Sequence, residues 1–416
     1  MKPAAWALAV ALAACGGTDP VASSTDSATD GVGDGPTGDV APLPADPTSV
    51  ELRQVVPGPG LPAEISPQNS NNNLDVVRHD GKVYLTGRTA PNHFAGPETR
   101  LWVASSADEQ AWQFETQAAM GTDLREPRLL AFGGKLRWYF AQLGSDPNQF
   151  QPKGAFVSER TPAGSWTGPQ PFYLPTFIPW RFAVHGGKAW LSGYTDGDNV
   201  YKSDPGPIAV HLLTSSDGQA WQPALGSDPV VLKGGVSETA FAVLADGTVV
   251  AVGRNEAGET GFGFGSKVCK ASPDQGLQCK ADPRKYDSPL LFVHAGQVWL
   301  IGRRTLNPDG STADYDLGAK TGTPAEHYVQ YQLVNWTKRK RCALWKVDPA
   351  ALVVYWQLDL PSRGDTCFAS IVSTGADRYA VYNYSSPLDA TADPPWFEGQ
   401  MGETRLYRSL LVFGKP

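Results

Sequence analysis

Pairs of short apolar runs, each pair joined by a glycine-containing turn, recur along this chain. The clearest pair lies in residues 236–258, VSETAFAVLADGTVVAVGRNEAG, where two apolar runs flank Asp246 and Gly247. Asp-Gly between two apolar runs is a strong sequence signal for a β-hairpin with a two-residue turn. The pattern therefore predicts two antiparallel strands whose open end carries Glu238 on one strand and Arg254 on the other.

The same hairpin pattern occurs five times at regular intervals and once more, loosely, at residues 366–386. Successive turn glycines are 53, 53, 60 and 49 residues apart, counted along Gly81, Gly134, Gly187, Gly247 and Gly296. Each hairpin is followed by a second pair of short strands. Repeats of this length with four strands each are typical of β-propellers. We therefore predict an all-β fold, a six-bladed β-propeller of four-stranded antiparallel blades, with the first strand of each hairpin nearest the central axis.

Two segments fall outside the repeat pattern. The last apolar run, Arg405–Phe413, is expected to close the ring against the first blade. The connection between Arg304 and Asn335 is longer than usual and includes NPDGSTADYD at 307–316, and we expect it to cap one face as a solvated loop. Calcium binding by its carboxylates is a less favoured alternative.

The composition agrees with many short strands and tight turns, because the 416 residues include 44 Gly, 35 Pro and 13 Trp but only 3 Met. The formal net charge of −7 argues against nucleic-acid binding, which needs a basic surface. No apolar run reaches the roughly 18 residues of a membrane-spanning helix. The sequence contains no recognisable cofactor motif or metal-ligand pattern, so neither a cofactor nor a metal is expected.

The first residues have the pattern of an export signal, with Lys2 followed by an apolar run from Ala4 to Ala14. Leu12-Ala13-Ala14-Cys15 resembles the lipobox of bacterial lipoproteins, which implies that Cys15 is lipidated. An ordinary signal peptide is the alternative. Residues 15–50 are rich in Gly, Asp, Ser, Thr and Pro, and we expect a disordered tether. The predicted organisation is a signal peptide at 1–14, a tether at 15–50 and one propeller domain at 51–416.

This organisation implies a lipid-anchored, monomeric protein of the bacterial cell envelope, facing the periplasm or the exterior, whose only contact with the membrane is the anchor. The other four cysteines form an even set suited to an oxidising compartment. Local pairing of Cys269 with Cys279 and of Cys342 with Cys367 is favoured, and two other connectivities stay open. No two of these cysteines form a CxxC motif, so a zinc site is not expected.

Three turns between the outer strands end in tryptophan: SADEQAW at 106–112, SERTPAGSW at 158–166 and SDGQAW at 216–221. They resemble, in a shortened form, the Asp-box of sialidases and related propellers. In that family the Asp-box is a blade-edge turn remote from the catalytic face. The resemblance therefore implies that these Asp and Trp residues are structural.

The open ends of the hairpins are expected to meet around one mouth of the central channel. Seven residues past the turn glycine, three hairpins carry an arginine, namely Arg88, Arg254 and Arg303. Nine residues before it, four hairpins carry a polar residue, namely Asn72, Arg125, Glu238 and Asp287. Converging arginines need anions. Two interpretations stay open: the arginines bind a ligand carboxylate or phosphate, or each pairs with a protein acid such as Glu238 or Asp287.

The order of these residues resembles that of the sialidases. Glu238 and Arg254 on one hairpin look like the family's Glu-plus-second-Arg element, and Arg303 looks like its third arginine. Tyr384, in Asn-Tyr-Ser-Ser, looks like the Tyr-Ser element near the C-terminus. The resemblance implies that Tyr384 is a nucleophile activated by Glu238, since a phenol needs a nearby base. It also implies that three arginines bind the carboxylate of an acidic sugar and that an Asp is the acid/base.

Two parts of the sialidase pattern are not marked in this sequence. The Phe/Tyr-Arg-Ile-Pro phrase of the first arginine is absent, which leaves Arg88, Arg125 and Arg128 as candidates. The acid/base is not marked either, which leaves Asp75 and Asp123 as candidates.

The register of the clearest hairpin also bears on the site. With a two-residue turn, Arg254 lies opposite Thr239 and Glu238 lies opposite Asn255. Strict alternation of side chains then places Glu238 and Arg254 on opposite faces of the sheet unless a bulge intervenes.

A second resemblance involves Arg125-Glu126-Pro127-Arg128, which looks like the Arg-Asp-Pro element of five-bladed glycosidases of the invertase and arabinanase kind. It implies carboxylates on the first strands of several blades, acting as a glycosidase pair, here Glu126, Glu238 and Asp287 or Asp75. Six hairpins rather than five argue against this architecture.

The sequence thus favours a retaining exo-glycosidase that acts on an acidic sugar at a mouth lined by Glu238, Arg254, Arg303 and Tyr384, with Asp287 as a further binding residue. The alternative is a non-catalytic carbohydrate- or protein-binding propeller in which the same residues form structural ion pairs. The expected ligand is a carbohydrate or another anionic molecule.

Overall fold

The computed structural model describes residues 46–200, 206–259, 263–272, 276–315 and 323–414. In these ranges the chain forms six antiparallel sheets arranged as the blades of a β-propeller, which confirms the predicted fold class. Six blades also exclude the five-bladed glycosidase architecture. The predicted signal peptide, Cys15 and nearly all of the predicted tether lie outside the described residues. No helix in the described residues is long and apolar enough to cross a membrane.

The strands of each blade are consecutive in the chain, except that β1 (Thr48–Val56) belongs to the last blade. Blade 1 contains β2 (Ser70–His79), β3 (Lys82–Ala90), β4 (Arg100–Ser106) and β5 (Gln113–Ala118). Blade 2 contains β6 (Leu124–Phe132), β7 (Lys135–Leu143), β8 (Pro152–Glu159) and β9 (Gln170–Pro175). Blade 3 contains β10 (Ile178–His185), β11 (Lys188–Thr195), β12 (Ile208–Ser215), β13 (Gln222–Pro223) and β14 (Val230–Gly234). Two short strands share the outer position of blade 3, because β13 and β14 both pair with β12.

The remaining blades follow the four-strand pattern. Blade 4 contains β15 (Val236–Val243), β16 (Val249–Glu259), β17 (Gly263–Ala271) and β18 (Gln278–Asp282). Blade 5 contains β19 (Asp287–His294), β20 (Gln297–Thr305), β21 (Lys340–Asp348) and β22 (Val353–Leu360). Blade 6 contains β23 (Ser370–Gly375), β24 (Arg378–Ser385), β25 (Arg405–Val412) and β1. The first strands of neighbouring blades contact each other from blade 6 through blade 1 to blade 5, so these strands lie around the axis as predicted.

The ring is closed inside blade 6, where β1 is the outermost strand. β1 pairs with β25 from Thr48 opposite Val412 to Val56 opposite Leu406. The prediction that Arg405–Phe413 closes the ring against the first blade is therefore wrong, because this segment is the third strand of blade 6 and the start of the chain supplies the fourth. β1 protects the edge of β25, which would otherwise expose unpaired backbone groups. Since β1 begins at Thr48, it takes in the last residues of the predicted tether.

In four blades the inner hairpin has a tight two-residue turn, as expected. Both central residues of each turn have positive φ, as a tight two-residue hairpin turn requires, in Asp80-Gly81, Gly133-Gly134, Gly186-Gly187 and Ala295-Gly296. Blade 4 differs, because the amide of Leu244 donates to the carbonyl of Thr248 at 2.8 Å and the amide of Gly247 donates to the carbonyl of Leu244 at 2.9 Å. The predicted two-residue turn at Asp246-Gly247 is thus wrong, and the loop has three residues. Thr239 consequently lies opposite Gly253 rather than Arg254.

A β-bulge near the open end interrupts the inner hairpin of every blade from 1 to 5. In blade 4 the irregularity lies between Val236 and Thr239, next to Glu238. A bulge re-aims side chains relative to strict alternation. This is the condition under which Glu238 and Arg254 can share one face, and they do contact each other.

Two helices lie over the mouth. Helix α1 (Pro324–Thr337) is formed by the long connection between β20 and β21, and Thr323 and Glu326 make a capping box at its start. Helix α2 (Trp396–Met401) lies between β24 and β25. The indole of Trp336 stacks on Phe397 with ring centroids 5.9 Å apart, so the helices pack against each other. The predicted solvated loop is therefore partly a packed helix.

Two disulfides are present, with the local pairing predicted from sequence. Cys269 and Cys279 face each other on β17 and β18. Cys342 on β21 is joined to Cys367, which precedes β23, so this bond links blades 5 and 6.

Candidate functional site

The open ends of the inner hairpins meet at one mouth, and the charged residues there form three linked clusters. The first surrounds Arg254 in blade 4. Its Nη1 lies 2.6 Å from Glu238 Oε1, its Nη2 lies 2.7 Å from Glu256 Oε1, and its Nε lies 3.2 Å from Asp287 Oδ1. The Arg254 side chain is 8% exposed. The amide of Ser288 donates to the other oxygen of Glu238 at 2.9 Å. The guanidinium is therefore surrounded by protein carboxylates.

Lys285 and Tyr331 extend this cluster towards the helices. Lys285 contacts Glu256 and lies 3.0 Å from Asp287, and the hydroxyl of Tyr331 on α1 donates to Glu256. Burial opposes ionisation of Glu256 and Asp287, but Arg254 and Lys285 outweigh it and hold the pKa of both carboxyls below their usual values. Both acids therefore stay charged at neutral pH.

The sequence reasoning missed Glu256 and Lys285. A signal was available for Glu256, because it is two residues past Arg254 on β16, but not for Lys285, which precedes the start of β19 at Asp287. Residues two apart on a strand face the same side. Tyr331 had no such signal, since it comes from the long connection.

The second cluster joins blades 5 and 6 around Arg303 and Tyr384. Arg303 Nη1 lies 3.4 Å from Asp287 Oδ2, and its Nη2 donates to the Tyr384 hydroxyl at 3.4 Å. Its Nε donates to the carbonyl of Thr366 at 2.5 Å, and its guanidinium lies 4.7 Å from the ring centre of Trp396 on α2. All three nitrogens of the Arg303 guanidinium therefore contact protein groups, and Trp396 packs against the guanidinium.

Tyr384 has a different acid partner from the expected one. Its hydroxyl donates to Asp365 Oδ1 at 3.0 Å, while Glu238 contacts Arg254 and Ser288. The tyrosine is 1% exposed, and burial together with the charge of Asp365 raises its pKa well above the usual value. In the described residues no hydrogen bond joins Tyr384 to Glu238.

Asp365 is also bound by two side chains from other parts of the mouth. His93, in the loop after β3, lies 2.6 Å from Asp365 Oδ2, and the indole N–H of Trp396 donates to Oδ1 at 3.0 Å. Burial lowers the pKa of His93, although Asp365 opposes the shift. His93 lies outside the repeat pattern, so the sequence did not mark it as a residue of the mouth.

The third cluster lies between blades 1 and 2. Arg88 Nη2 is 2.8 Å from Asp123 Oδ1, and Arg125 Nε is 2.6 Å from Asp123 Oδ2. Arg88 is fully buried, and Arg125 also donates to the carbonyl of His93 at 2.5 Å. The two arginines hold the pKa of Asp123 below its usual value against the effect of burial. Arg88 and Arg125, both candidates for the first substrate arginine, share one buried carboxylate.

Below these clusters the channel is filled by buried cations and aromatic rings. The guanidinium of Arg128 lies 4.8 Å from the ring centre of Trp180 and 4.3 Å from that of Phe368. Arg181 reaches across to donate to the carbonyl of Pro289 at 2.9 Å. Burial lowers the pKa of both arginines.

Glu126 and Asp75 also sit on inner strands. Glu126, at the bulge of blade 2 with φ +52°, accepts a hydrogen bond from Asn73 at 3.1 Å. Burial raises the pKa of Glu126 to about 7, and the charge of Glu238 adds to the shift. Both oxygens of Asp75 are bound, one by the hydroxyl of Ser370 at 2.6 Å and one by the amide of Leu129 at 2.8 Å. Asp75 therefore ties blade 1 to blades 6 and 2.

The Asp-box turns lie at the outer edges of the blades, away from these clusters. Asp108 accepts hydrogen bonds from the amides of Gln110 and Ala111 at 2.8 and 2.9 Å. Asp217 accepts from Gln219 and Ala220 at 2.7 and 2.9 Å in the same way. Both aspartates shape their own turns.

Comparison with solved structures agrees with this architecture: the chain has the fold of the sialidase-like six-bladed propellers. A Dyadobacter fermentans protein of unknown function matches over 89% of this chain and 100% of its own length, with a TM-score of 0.60 and 16% identity. Trypanosoma rangeli sialidase matches over 83% of this chain, with a TM-score of 0.50 and 15% identity, and this match spans 55% of that sialidase. No family model matches the sequence, and no curated protein matches it. At these identities the likeness establishes the fold alone.

Proposed function

We propose that this chain is a non-catalytic binding propeller on a sialidase-like fold, and that the charged residues of its mouth are structural. The observation that carries the proposal is the surrounding of Arg254 by Glu238, Glu256 and Asp287. A guanidinium binds a carboxylate through its N–H groups. Here protein carboxylates already occupy the positions that the carboxylate of an acidic sugar would need.

The environment of Tyr384 supports the same proposal. A phenol becomes a nucleophile when a base lowers its effective pKa in a site that the substrate can reach. Tyr384 is buried, its pKa is raised, and its hydroxyl is bound between Asp365 and Arg303. These contacts stabilise a neutral phenol that joins blades 5 and 6.

A retaining glycosidase for acidic sugars is the second candidate, and one contact favours it. Tyr384 is hydrogen-bonded to a carboxylate, so Asp365 could take the role that the sialidase resemblance gives to Glu238. Arg303 at 3.4 Å from the hydroxyl would then assist at the same atom. This candidate requires the two helices over the mouth to open.

One assay separates the two candidates. Purified protein is incubated with fluorogenic glycosides of sialic and uronic acids, beside the Tyr384→Phe variant. We expect no release of the fluorophore from either protein. Release that disappears in Tyr384→Phe would establish the glycosidase and refute the binding propeller. Release that persists in Tyr384→Phe would refute the assignment of Tyr384.

We further propose that the protein is exported and lipid-anchored at Cys15, and that it is a monomer whose ligand is a carbohydrate or another anion. The two disulfides support an oxidising compartment. Membrane fractionation of cells expressing wild type and Cys15→Ser tests the anchor. We expect wild type in the membrane fraction and the variant in the soluble fraction, and equal distribution would contradict lipidation.

A further inference from the structure

A cleft of about 420 Å³ lies between the outer strands of blade 2 and the Asp-box turn of blade 3. It is hereafter called the blade 2/3 cleft. Its lining includes Arg137, Glu159, Phe172, Tyr173, Gln219 and Trp221. None of these residues belongs to the three clusters of the mouth. The size lies in the range of small-molecule sites.

The repeat architecture provides an internal comparison for this cleft. The Asp-box turns of blades 1 and 3 have the same hydrogen bonds, from Asp108 to residues 110 and 111 and from Asp217 to residues 219 and 220. The residues after the two aspartates, Glu109 and Gly218, therefore occupy equivalent positions. Both have positive φ, +60° and +72°. They differ in whether a side chain is present.

In blade 1 the side chain of Glu109 fills the space between the turn and blade 6. Its carboxylate accepts from the hydroxyl of Tyr382 at 2.8 Å and from Arg408 at 3.1 Å. Arg78 donates to its other oxygen at 3.2 Å. A tyrosine and two arginines are thus satisfied by one protein carboxylate.

In blade 3 the corresponding carboxylate is missing. Tyr139, at the position in β7 that Tyr382 has in β24, donates instead to the carbonyl of Gly218 at 3.3 Å. Arg137 is 2% exposed, yet its Nη1 has no hydrogen-bond partner in the described part of the chain. A buried N–H without a partner is unfavourable. A Cβ at Gly218 would lie 2.4 Å from that nitrogen and 3.1 Å from Arg137 Cζ, so the guanidinium lies where a side chain of residue 218 would begin.

The other walls of the cleft are aromatic and polar. Trp221 packs edge-on against Phe172 with ring centroids 6.2 Å apart, and its indole N–H has no partner in the described residues. Tyr173 has φ +62°, next to an irregularity in the pairing of β8 with β9. Positive φ is rare for a bulky residue, and bulges often re-aim side chains at binding sites. The bulge places Tyr173 on the cleft.

The one acid that lines the cleft is shared between two cations. Arg137 Nε lies 3.0 Å from Glu159, and Lys135, which is outside the lining, lies 2.8 Å from the same carboxylate. Glu159 therefore compensates Arg137 on its Nε side only and leaves Nη1 without an acid.

We propose that the blade 2/3 cleft binds a saccharide that carries a carboxylate. The carboxylate supplies the negative charge that Glu109 supplies in the equivalent cleft and pairs with Arg137. The sugar ring packs on the exposed parts of Tyr173 and Trp221, and Gln219 binds hydroxyl groups. This site lies outside the mouth and shares no residue with its three clusters.

The test uses isothermal titration of glucuronic-acid-terminated oligosaccharides into wild type and into Gly218→Glu. Glu109 shows that the turn accommodates glutamate at positive φ, but the new Cβ would lie 2.4 Å from Arg137 Nη1, so the guanidinium has to shift. Gly218→Glu should place a protein carboxylate beside Arg137 and weaken binding at least about tenfold, and its melting temperature shows whether the variant is folded. Gln219→Ala, an exposed change, should weaken binding several-fold.

Three further arms decide the ligand class. A neutral oligosaccharide of the same length should bind at least about tenfold more weakly, because it cannot pair with Arg137. Equal binding of both saccharides, or full affinity in a folded Gly218→Glu variant, would overturn the proposal. Binding of an acidic peptide without binding of any saccharide would also overturn it and make the cleft a peptide site. The exposed variant Glu98→Ala serves as the control with wild-type affinity.

Discussion

Replacing Arg254 by methionine tests whether the mouth is structural. The substitution keeps the aliphatic volume and removes the cation that Glu238, Glu256 and Asp287 share. Lys285 still contacts Glu256 and Asp287. Among the described residues, the hydrogen bond left to the Glu238 carboxylate is the one from the amide of Ser288, so Glu238 loses most of its compensation.

The expected cost follows from burial. The Arg254 side chain is 8% exposed and its three acids are 10% exposed or less, so solvent screens the interaction little. Removing one partner of a buried ion pair destabilises by about 3–5 kcal/mol, because a charge is left without compensation. In a domain of this length that corresponds to a fall in melting temperature on the order of 5 °C.

The effect should depend on pH. Arg254 and Lys285 depress the pKa of Glu256 and Asp287 against the effect of burial. A carboxyl with a depressed pKa stabilises the fold above its unfolded pKa, near 4, and this contribution is lost as the pH falls through the folded pKa. The difference between wild type and Arg254→Met should therefore be largest near pH 7 and shrink below about pH 4.

Thermal unfolding followed by circular dichroism measures these changes. Arg100→Ala, at an exposed position, is the matched control and should change stability by about 0.5 kcal/mol or less. Adding Glu238→Gln to Arg254→Met should recover part of the loss, since it removes the stranded charge. A fall in melting temperature no larger than that of Arg100→Ala, or no coupling between the two substitutions, would refute the structural role of the mouth.

Three more predictions concern other parts of the fold. Burial raises the pKa of Glu126 to about 7, so ionisation of Glu126 lowers the stability of the fold as the pH rises from its unfolded pKa through 7. In urea unfolding, Glu126→Gln should therefore be more stable than wild type at pH 8 and similar to it at pH 4. Equal unfolding curves for the two proteins at both pH values would contradict this. Cys342→Ser with Cys367→Ser, which opens a link spanning 25 residues between blades 5 and 6, should lose about 2–4 kcal/mol of unfolding free energy. Reduction should lower the melting temperature of this variant less than that of wild type, because only the Cys269–Cys279 bond remains; an equal fall in both would contradict the stabilising role of the link. Deleting residues 48–56 should expose the outer edge of β25, which still pairs with β24, and produce aggregation in light scattering. A monomeric deletion variant would show that β1 is dispensable for ring closure.

Much of the fold was predictable because its signals are local. The turns at Asp80-Gly81 and Gly133-Gly134 need residues that tolerate positive φ, and these are visible in the chain. The repeat interval and the alternating apolar runs extended this to six blades. The turn at Asp246 was mistaken because Asp-Gly fits both a two-residue loop and a three-residue loop with glycine in the left-handed region, and only backbone pairing distinguishes them.

The sequence predicted which residues lie at the candidate site but not which of them contact each other. Counting from the turn glycines correctly brought Arg254, Arg303 and Glu238 to one mouth. It did not predict that Asp123 lies between Arg88 and Arg125, or that Tyr384 meets Asp365. Those contacts join different blades, and their distances depend on how the blades pack.

The sequence by itself thus determined the six blades and the two-residue turns of four inner hairpins, and it favoured the local pairing of the cysteines, since each depends on residues that are near each other in the chain or in one repeat. Only the tertiary structure decided which acid each arginine meets, how β1 closes the ring and why the blade 2/3 cleft is open while its counterpart is filled by Glu109. The physical reason is that the burial of a side chain and the charges around it depend on all the residues that pack against it, including residues from other blades. Arg254 has the same sequence position relative to its turn whether it binds a ligand or Glu238, and its three buried carboxylates make the difference.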